Sequence, residues 1–168
     1  MLYIISAPSG CGKTSLISAL GLKTVVTYTT RSPRPTEMHG IDYNFLTVKE
    51  FKYLDETGFF AEASEVYGNW YGTSKTSLRL SWYQDIVIAV DSQGYIKLRE
   101  SYPDCVGIYL LPPSFEILQA RLSERGDTDM SRLQDISDTD HQHYDHVLVN
   151  DSFIKTLKEL QRIVGITK

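Results

Sequence analysis

The segment SAPSGCGKTS, at positions 6–15, constrains the fold more than any other part of this 168-residue chain. It follows a short apolar run, LYII (2–5), and precedes a helical pattern, TSLISAL (14–20). A glycine-rich loop between a strand and a helix, ending in Gly-Lys-Thr, is typical of the P-loop, G-x-x-x-x-G-K-[ST], although Ala7 replaces its first glycine. The segment therefore predicts an α/β fold that begins with a strand–loop–helix unit.

The residue types of this loop suit a chain of phosphates. Glycines allow backbone N–H groups to surround phosphate oxygens, and the following helix adds the positive end of its dipole. We expect Lys13 to reach the β- and γ-phosphates of a nucleoside triphosphate and the Thr14 hydroxyl to bind Mg²⁺. The residues predicted to bind this nucleotide are Ser9, Gly10, Cys11, Gly12, Lys13, Thr14 and Ser15. A chance glycine-rich turn is the alternative, but it does not account for Gly-Lys-Thr between a strand and a helix.

Short apolar runs alternate with amphipathic stretches along most of the chain. The runs are LYII (2–5), TVVTYT (24–29), DIVIAV (85–90), CVGIYLL (105–111) and HVLVN (146–150). The amphipathic stretches are TSLISAL (14–20), GYIKLRES (94–101), SFEILQARLSE (114–124) and SFIKTLKELQRIV (152–164). Continuous runs rich in β-branched residues are typical of strands buried on both faces. We therefore predict an α/β fold with a P-loop NTPase core, in which a five-stranded parallel sheet carries helices on both faces.

Two segments break this alternation. The first is rich in Tyr, Phe and Gly, and its strand-like runs YNFLT and FFAEASEV flank a helical stretch, VKEFKYLDE, that Thr47 and Glu50 can begin with a capping box. The second is polar and lacks periodicity. We interpret the chain as a single domain (1–168) with a P-loop core (1–30, 81–124 and 146–168), an inserted α+β subdomain (31–80) and a short lid (125–145).

The composition of the chain argues against a nucleic acid or a membrane as its binding partner. The 17 basic and 21 acidic residues give a net charge of −4, whereas nucleic-acid-binding proteins usually carry a basic excess. Two cysteines do not make a disulfide scaffold, which favours a reducing cytoplasm. No apolar run approaches the roughly 18 residues that span a membrane, and the chain starts without a basic leader. We expect a cytoplasmic protein without a nucleic-acid or membrane partner, as a monomer or a homodimer.

A second basic feature lies in TTRSPRPTEMHGIDY (29–43), outside the P-loop. Arg31 and Arg34 stand among two prolines, which limit the freedom of the backbone. A guanidinium pairs with phosphate oxygens through two parallel hydrogen bonds. We therefore expect these arginines and Tyr43 to hold the phosphate of an acceptor substrate; a solvated basic turn is the alternative.

Further motifs follow in order along nearly the whole chain. They are F-x-E at 60–62, YGT at 71–73, VDSQG at 90–94, LPPS at 111–114, RLSERG at 121–126 and VLVND at 147–151. Together with APSGCGKTS and with TTRSPR followed by DY, this set resembles the guanylate kinase family. The resemblance implies an enzyme, a nucleoside monophosphate kinase in which Mg-ATP donates a phosphoryl group to GMP and to dGMP.

The same resemblance implies the acceptor-side residues. Four match residues that hold the GMP phosphate: Arg31, Arg34, Tyr43 and Tyr71. Glu62, Thr73 and Asp91 match residues around the guanine, and Thr27 matches a position that contacts the nucleotide. A carboxylate suits guanine because it accepts hydrogen bonds from N1–H and the 2-amino group, a donor pair that adenine lacks. Glu62 as a surface strand residue and Tyr71 as a packing aromatic are the alternatives.

On the donor side, the resemblance implies that arginines close over the transferring phosphoryl group and act with Lys13 in catalysis: Arg121, Arg125 and Arg132. Asn150 and Asp151 match the family's adenine-side motif. Arg121 as a helix-surface residue and Asp151 as a cap of the last helix are the alternatives. Ala89 stands where the family usually has an acidic residue, so the protein is expected to contribute little to Mg²⁺ beyond Thr14.

The short spacing of Arg125 and Arg132 indicates a compact family member with a shortened lid. Two other functions stay open. One is a kinase for another (deoxy)nucleoside monophosphate; the other is a non-catalytic protein-interaction module, against which the intact P-loop residues argue. His141, His143 and His146 stand among acidic residues, but this pattern is a weak one for a metal site and we expect solvated side chains.

Overall fold

The computed structural model describes residues 1–124 and 140–166. Within them, the larger sheet has five parallel strands: β1 (Leu2–Ser6), β2 (Lys23–Thr24), β7 (Ile86–Ala89), β8 (Val106–Leu111) and β9 (His146–Val149). Their order across the sheet is β2-β7-β1-β8-β9. The central strand β1 pairs through Ile5 with Ala89 of β7 and with Ile108 of β8. The predicted five-stranded parallel sheet is therefore confirmed.

Helices cover both faces of this sheet, as expected. They are α1 (Lys13–Leu20), α4 (Ser92–Ser101), α5 (Phe115–Glu124) and α6 (Phe153–Ile163). Every residue of β1 is buried, and alternation along the strand sends Leu2 and Ile4 to one core cluster and Tyr3 and Ile5 to the other. The first cluster includes side chains of α4, and the second includes side chains of α1 and α6. The P-loop thus follows the most deeply buried strand of the molecule's core.

The subdomain contains a second, smaller sheet of mixed strand direction, in the order β4-β3-β6-β5. Its strands are β3 (Tyr28–Thr29), β4 (Asn44–Phe45), β5 (Phe60–Val66) and β6 (Asn69–Ser74). Around them lie α2 (Val48–Glu56), α3 (Lys75–Leu78) and a 3-10 turn (Arg79–Trp82). The predicted capping box is confirmed, since the Thr47 N–H donates to the Glu50 carboxylate at 2.8 Å and the Glu50 N–H to Thr47 Oγ1 at 3.2 Å. Phe51 of α2 stacks on Phe60 of β5 and holds the helix against the sheet.

Two strand predictions are wrong. TVVTYT (24–29) is not one strand, because Thr24 ends β2 in the larger sheet and Tyr28 begins β3 in the smaller one. The Val25 N–H still donates to the larger sheet, so the chain passes from one sheet to the other within this run. HVLVN is not buried on both faces, because β9 is the outer strand and exposes Val147 and Val149.

Most of the predicted lid, residues 125–139, lies outside the described residues, and with it Arg125 and Arg132. The part that is described contains a 3-10 turn, Asp140–His143. Among the described residues, no group of three or more His, Cys, Asp or Glu side chains is placed to hold a metal ion. In the same part of the chain, none of the helices is both long and apolar enough to span a bilayer.

Candidate active site

The P-loop lies between the carboxyl end of β1 and the first turn of α1. Gly10 and Gly12 have positive φ angles of 89° and 83°, which favour glycine because it lacks a Cβ. Gly10 packs so closely on α5 that a Cβ there would lie 3.0 Å from Leu118. Cys11 is buried between them, and burial raises the pKa of its thiol to about 12. The thiol is therefore neutral at physiological pH, and the backbone gives the loop its binding groups.

Lys13 begins α1 and reaches toward the strand next to β1. Its Nζ donates to the carbonyl of Val90, just after β7, at 3.2 Å. Burial lowers the pKa of Lys13, and the nearby Asp91 carboxylate acts in the opposite direction. Thr14 and Ser15 are exposed on the same first turn. Three polar side chains thus follow Gly12 at the carboxyl edge of the larger sheet.

The donor set for a metal ion beside the P-loop is small. Ala89 ends β7 opposite Ile5 and brings no side-chain oxygen to this edge of the sheet. One Asp91 carboxylate oxygen accepts from the Gly94 N–H at 2.9 Å, and the other accepts from the Ser64 hydroxyl. With the exposed Thr14 hydroxyl beside the loop, these residues fit Mg²⁺ held mainly by phosphate oxygens and water, which is a common arrangement for this ion.

Arg31 and Arg34 converge on one carboxylate, that of Glu37. Arg31 donates to Glu37 Oε1 at 2.9 Å and Arg34 at 3.2 Å, while the Arg34 backbone N–H donates to Oε2 at 2.8 Å. Burial acts to raise the pKa of Glu37, but the two arginines hold this pKa below its usual range. Two guanidinium groups facing one carboxylate leave the site with a net positive charge, which suits an anion.

Two tyrosines complete this group, which we call the arginine site (Arg31, Arg34, Glu37, Tyr43 and Tyr71). The guanidinium carbon of Arg31 lies 5.5 Å from the centroid of the Tyr43 ring. The Tyr43 and Tyr71 rings meet edge to face with centroids 6.3 Å apart. Burial raises the pKa of Tyr43, so its hydroxyl stays a neutral hydrogen-bond donor. The structure therefore brings together all four residues predicted to hold the acceptor phosphate.

A buried carboxylate lies on the same small sheet. Glu62 of β5 pairs with Thr73 of β6, whose hydroxyl donates to Glu62 Oε1 at 2.6 Å. Burial raises the pKa of Glu62 to about 7, with the Thr73 hydrogen bond opposing this effect and Asp91 adding to it. Glu62 is only 4% exposed, so the alternative of a surface strand residue is wrong.

Ser64, Asp91 and Gly94 lie around Glu62. Ser64, two residues further along β5, shares its face of the strand and donates to Asp91. Gly94 lies so close that a Cβ there would be 2.9 Å from Glu62 Oε2. We call Glu62, Ser64, Thr73 and Asp91 the carboxylate site. Thr27, which was predicted to contact the acceptor nucleotide, is buried just before β3.

The arginine site, the carboxylate site and the P-loop are neighbours. Tyr71 and Thr73 are two residues apart on β6, so they point to the same face of the strand. Asp91 acts on the pKa of Glu62 and also on that of Lys13. A cleft of about 240 Å³ opens between the start of the P-loop, the tip of the β5–β6 hairpin and the first turn of α4. The arrangement can hold two anionic groups and one polar ring system in adjoining positions.

Arg121 is the predicted catalytic arginine that lies within the described chain. It is half-buried near the end of α5, the helix whose Leu118 and Leu122 pack on the P-loop. Its charge acts to lower the pKa of the Cys11 thiol, against the larger effect of burial. The structure thus places Arg121 on the helix that packs against the P-loop.

Asn150 and Asp151, predicted together for the adenine side, differ in their surroundings. Asn150 is 5% exposed and its Nδ2 donates to the carbonyl of Cys11 at 2.7 Å. Asp151 is exposed and pairs with Lys155 at 3.4 Å. The N-cap of α6 is Ser152, so the alternative in which Asp151 caps this helix is wrong.

Sequence reasoning missed Glu37 and Ser64. Glu37 stands three residues after Arg34, and a turn brings its N–H to the Arg34 carbonyl at 3.0 Å. A carboxylate at this spacing in a proline-stiffened turn is the signal that could have found it. The alternation of side chains along β5 could have placed Ser64 beside Glu62. Both residues hold a predicted site residue in place.

Comparison with known proteins agrees with this geometry. The family model described as "Guanylate kinase" matches residues 1–166. The chain belongs to the guanylate kinase family. A similar curated member, the guanylate kinase of Chromohalobacter salexigens, is 43% identical over 97% of this chain and 82% of that protein. The guanylate kinase of Alkalilimnicola ehrlichii is 42% identical over 96% of this chain and 86% of that protein.

A solved guanylate kinase has the same fold. The crystal structure of guanylate kinase from Anaplasma phagocytophilum matches with a TM-score of 0.81 and 29% identity, over 98% of this chain and 84% of that one. The predicted P-loop NTPase fold and the family resemblance are thereby confirmed. The alignment with the Chromohalobacter guanylate kinase runs over 176 positions, more than the 168 residues of this chain. This chain therefore lacks some residues that the aligned region of the relative contains. Within the matched region, this chain is thus shorter than that relative.

Proposed function

We propose that this chain is a guanylate kinase that transfers the γ-phosphoryl group of Mg-ATP to GMP, and to dGMP, giving ADP and the guanosine diphosphate. The observation that carries the proposal is the placement of a buried carboxylate, Glu62 bonded to Thr73, on the β5–β6 strand pair that also carries Tyr71 of the arginine site. Family membership supports the reaction, and the P-loop beside this pair supports the donor.

The acceptor phosphate binds at the arginine site in this proposal. Arg34 is 39% exposed and Arg31 12% exposed, so one guanidinium is open to solvent while the other is anchored against Glu37 and the Tyr43 ring. Each charge-assisted hydrogen bond to the phosphate contributes roughly 1.5–3 kcal/mol. The acceptor is already an anion, so no protein base is needed to activate it; the site orients it for in-line attack.

The guanine binds at the carboxylate site. Glu62 in its ionised form accepts the N1–H and 2-amino hydrogens, while the Thr73 hydroxyl keeps the carboxylate in place. Adenine presents no such donor pair and leaves a desolvated carboxylate without a partner, a mismatch that rejects ligands by about 10⁴-fold in sites of this kind. The buried state of Glu62 is what makes the mismatch costly.

The donor phosphates bind at the P-loop. Backbone N–H groups around Gly10 and Gly12 surround the phosphate oxygens, and Lys13 turns from the Val90 carbonyl to the β- and γ-phosphates. Arg121 adds positive charge beside the loop. Thr14 would hold Mg²⁺ together with phosphate oxygens and water, and the ion when bound neutralises charge on the transferring group. Arg125 and Arg132 stay predictions for the same part of the site.

The cellular setting belongs to the proposal as well. Cys11 and Cys105 are both free and buried, which supports a reducing cytoplasm. The net charge of −4 supports small-molecule substrates over nucleic acid. We expect a monomer or a homodimer that needs no further protein for turnover.

The experiment that tests the function is a coupled assay of ADP release from Mg-ATP with GMP, dGMP, AMP, CMP and UMP as acceptors. The expected result is turnover with both guanine nucleotides and at least about 10³-fold lower kcat/KM with AMP. No turnover with either guanine nucleotide would support a non-catalytic interaction module. Comparable turnover with AMP would contradict the proposed role of Glu62 and favour a kinase of broader specificity.

A further inference from the structure

The side chain of Asn150 binds the backbone of the P-loop. Asn150 directly follows β9, and its own N–H donates to the Leu111 carbonyl at the end of β8, at 2.9 Å. From this fixed position its Nδ2 donates to the Cys11 carbonyl at 2.7 Å, in a buried bond across 139 positions of sequence. The bond therefore links the outer strand of the larger sheet to the loop that follows the central strand.

Burial separates Asn150 from its exposed neighbour. Asn150 is 5% exposed, and its amide nitrogen is engaged by Cys11. The Asp151 side chain is 48% exposed and contacts Lys155 on its own helix. The Asn150 amide nitrogen is thus committed to the loop, whereas the Asp151 side chain stays on the surface.

The bond also orients a peptide group of the loop. The peptide between Cys11 and Gly12 is trans, so the Gly12 N–H points away from the carbonyl that Asn150 holds. N–H groups at this part of a P-loop face the phosphates. Fixing the Cys11 carbonyl therefore fixes the direction in which the Gly12 N–H is offered.

Gly12 shows how closely the amide fits. A Cβ at Gly12 would lie 2.8 Å from Asn150 Nδ2, and the residue also has a positive φ of 83°. The absence of a side chain at Gly12 is therefore what leaves room for the Asn150 amide against the loop.

We propose that Asn150 is a positioning residue for the donor phosphates, acting through the P-loop backbone. The inference deepens the proposed function, because it rests on the assignment of the P-loop to the donor. Asn150 holds the Cys11–Gly12 peptide in its binding orientation before the nucleotide arrives, which lowers the ordering cost of binding. Its contribution is therefore the same for any donor that carries the phosphate chain.

The test is calorimetric binding of Mg-ATP, Mg-GTP and Mg-tripolyphosphate, the last of which carries no base. The primary variant is Asn150→Asp, which keeps the side-chain shape but replaces the donor with an acceptor; Asn150→Ala is the second. The control is Asn69→Ala, which removes an amide that donates to a different backbone carbonyl, that of Tyr67, at 3.1 Å. Circular dichroism and thermal unfolding verify that each variant is folded.

The expected result is that Kd rises by about tenfold for all three ligands in the Asn150 variants and is unchanged in the control. The ATP-to-GTP ratio of Kd then stays at its wild-type value. Unchanged binding of tripolyphosphate with a lost preference between ATP and GTP would overturn the inference and make Asn150 a base reader. Failure of the wild type to bind tripolyphosphate would overturn it too. Tripolyphosphate binding without GMP phosphorylation would contradict only the proposed function.

Discussion

In the proposed binding mode, the P-loop offers phosphate oxygens mainly backbone N–H groups, whereas the arginine site offers them the side chains of Arg31 and Arg34. The loop keeps its shape through glycine geometry and one buried bond from Asn150, and it carries a single half-buried lysine. The arginine site concentrates two guanidinium groups, both of which donate to the Glu37 carboxylate. A site made of backbone dipoles is stable when empty, while a site made of charged side chains needs a counter-charge within the fold.

The carboxylate site extends this comparison, because its charge has less compensation than the arginines have. Glu62 is buried with Thr73 as a neutral partner, and burial raises its pKa to about 7. The arginines instead share an ionised partner in Glu37. In the proposed function, guanine binding needs the ionised form of Glu62, which burial opposes, so this site conflicts most with the stability of the fold.

Glu62→Gln should give the largest change in activity. A glutamine presents one acceptor and one donor, so it cannot accept both guanine hydrogens, and kcat/KM for GMP should fall by about 10³-fold or more. KM for ATP should stay near its wild-type value, because Glu62 does not face the P-loop phosphates in the proposed mode. Steady-state kinetics with each substrate varied in turn measures both effects.

The control for this variant is Glu56→Gln, at an exposed position near the end of α2. It removes the same charge without touching the carboxylate site, and kcat/KM for GMP should be unchanged. If Glu62→Gln kept its wild-type kcat/KM for GMP, guanine recognition would have to lie elsewhere on the molecule.

The same substitution should stabilise the fold at high pH. The folded-state pKa of Glu62 is raised from 4.5 to about 7, so its stabilising contribution is complete below pH 4.5 and is lost as pH rises through 7. Glutamine does not titrate. Relative to the wild type, Glu62→Gln should therefore gain up to roughly 3 kcal/mol in free energy of unfolding between pH 4.5 and pH 8.

Urea unfolding of both proteins at several pH values measures this gain. The Glu56→Gln variant serves again as the reference for loss of a carboxylate at an exposed position. A constant offset between Glu62→Gln and the wild type from pH 4.5 to pH 8 would show that Glu62 does not titrate across this range in the folded protein.

Arg34→Ala should separate the donor and acceptor sites. Loss of its charge-assisted hydrogen bonds should raise KM for GMP by about 10- to 100-fold, with KM for ATP unchanged. Arg79→Ala is the matched control, because it removes an exposed arginine that lies outside both sites. Equal increases in KM for GMP and ATP would contradict the assignment of Arg34 to the acceptor.

The P-loop was largely predictable from sequence because its shape belongs to the backbone. Gly10, Gly12 and the Gly-Lys-Thr ending determine a local conformation, and local conformation is encoded by adjacent residues. The Thr47–Glu50 capping box was predictable for the same reason. The alternation of apolar runs and helices likewise predicted the parallel sheet and its two helical layers.

What the sequence did not predict depends on contacts between distant segments. TVVTYT reads as one strand, yet its halves pair with different sheets, because pairing partners and not local propensity decide where a strand ends. The bond between Asn150 and the Cys11 carbonyl was not predicted either, because it joins segments 139 positions apart. Glu37 is close in sequence to the arginines, but its convergence with both depends on the turn that the chain makes there.

Glu37→Ala should have the smallest effect and sharpens the comparison most. If Glu37 keeps the two guanidinium groups oriented, its removal should raise KM for GMP by about tenfold, with kcat and KM for ATP little changed. Glu37→Gln should be intermediate, because one amide oxygen cannot accept from both arginines and from the Arg34 N–H. Asp42→Ala is the control, since Asp42 lies in the same loop and accepts from the Met38 N–H at 2.8 Å without contacting an arginine.

Tighter binding of GMP by Glu37→Ala would mean that the carboxylate competes with the phosphate. The arginine site would then need no internal counter-charge to stay ordered, and the contrast with the P-loop would be lost.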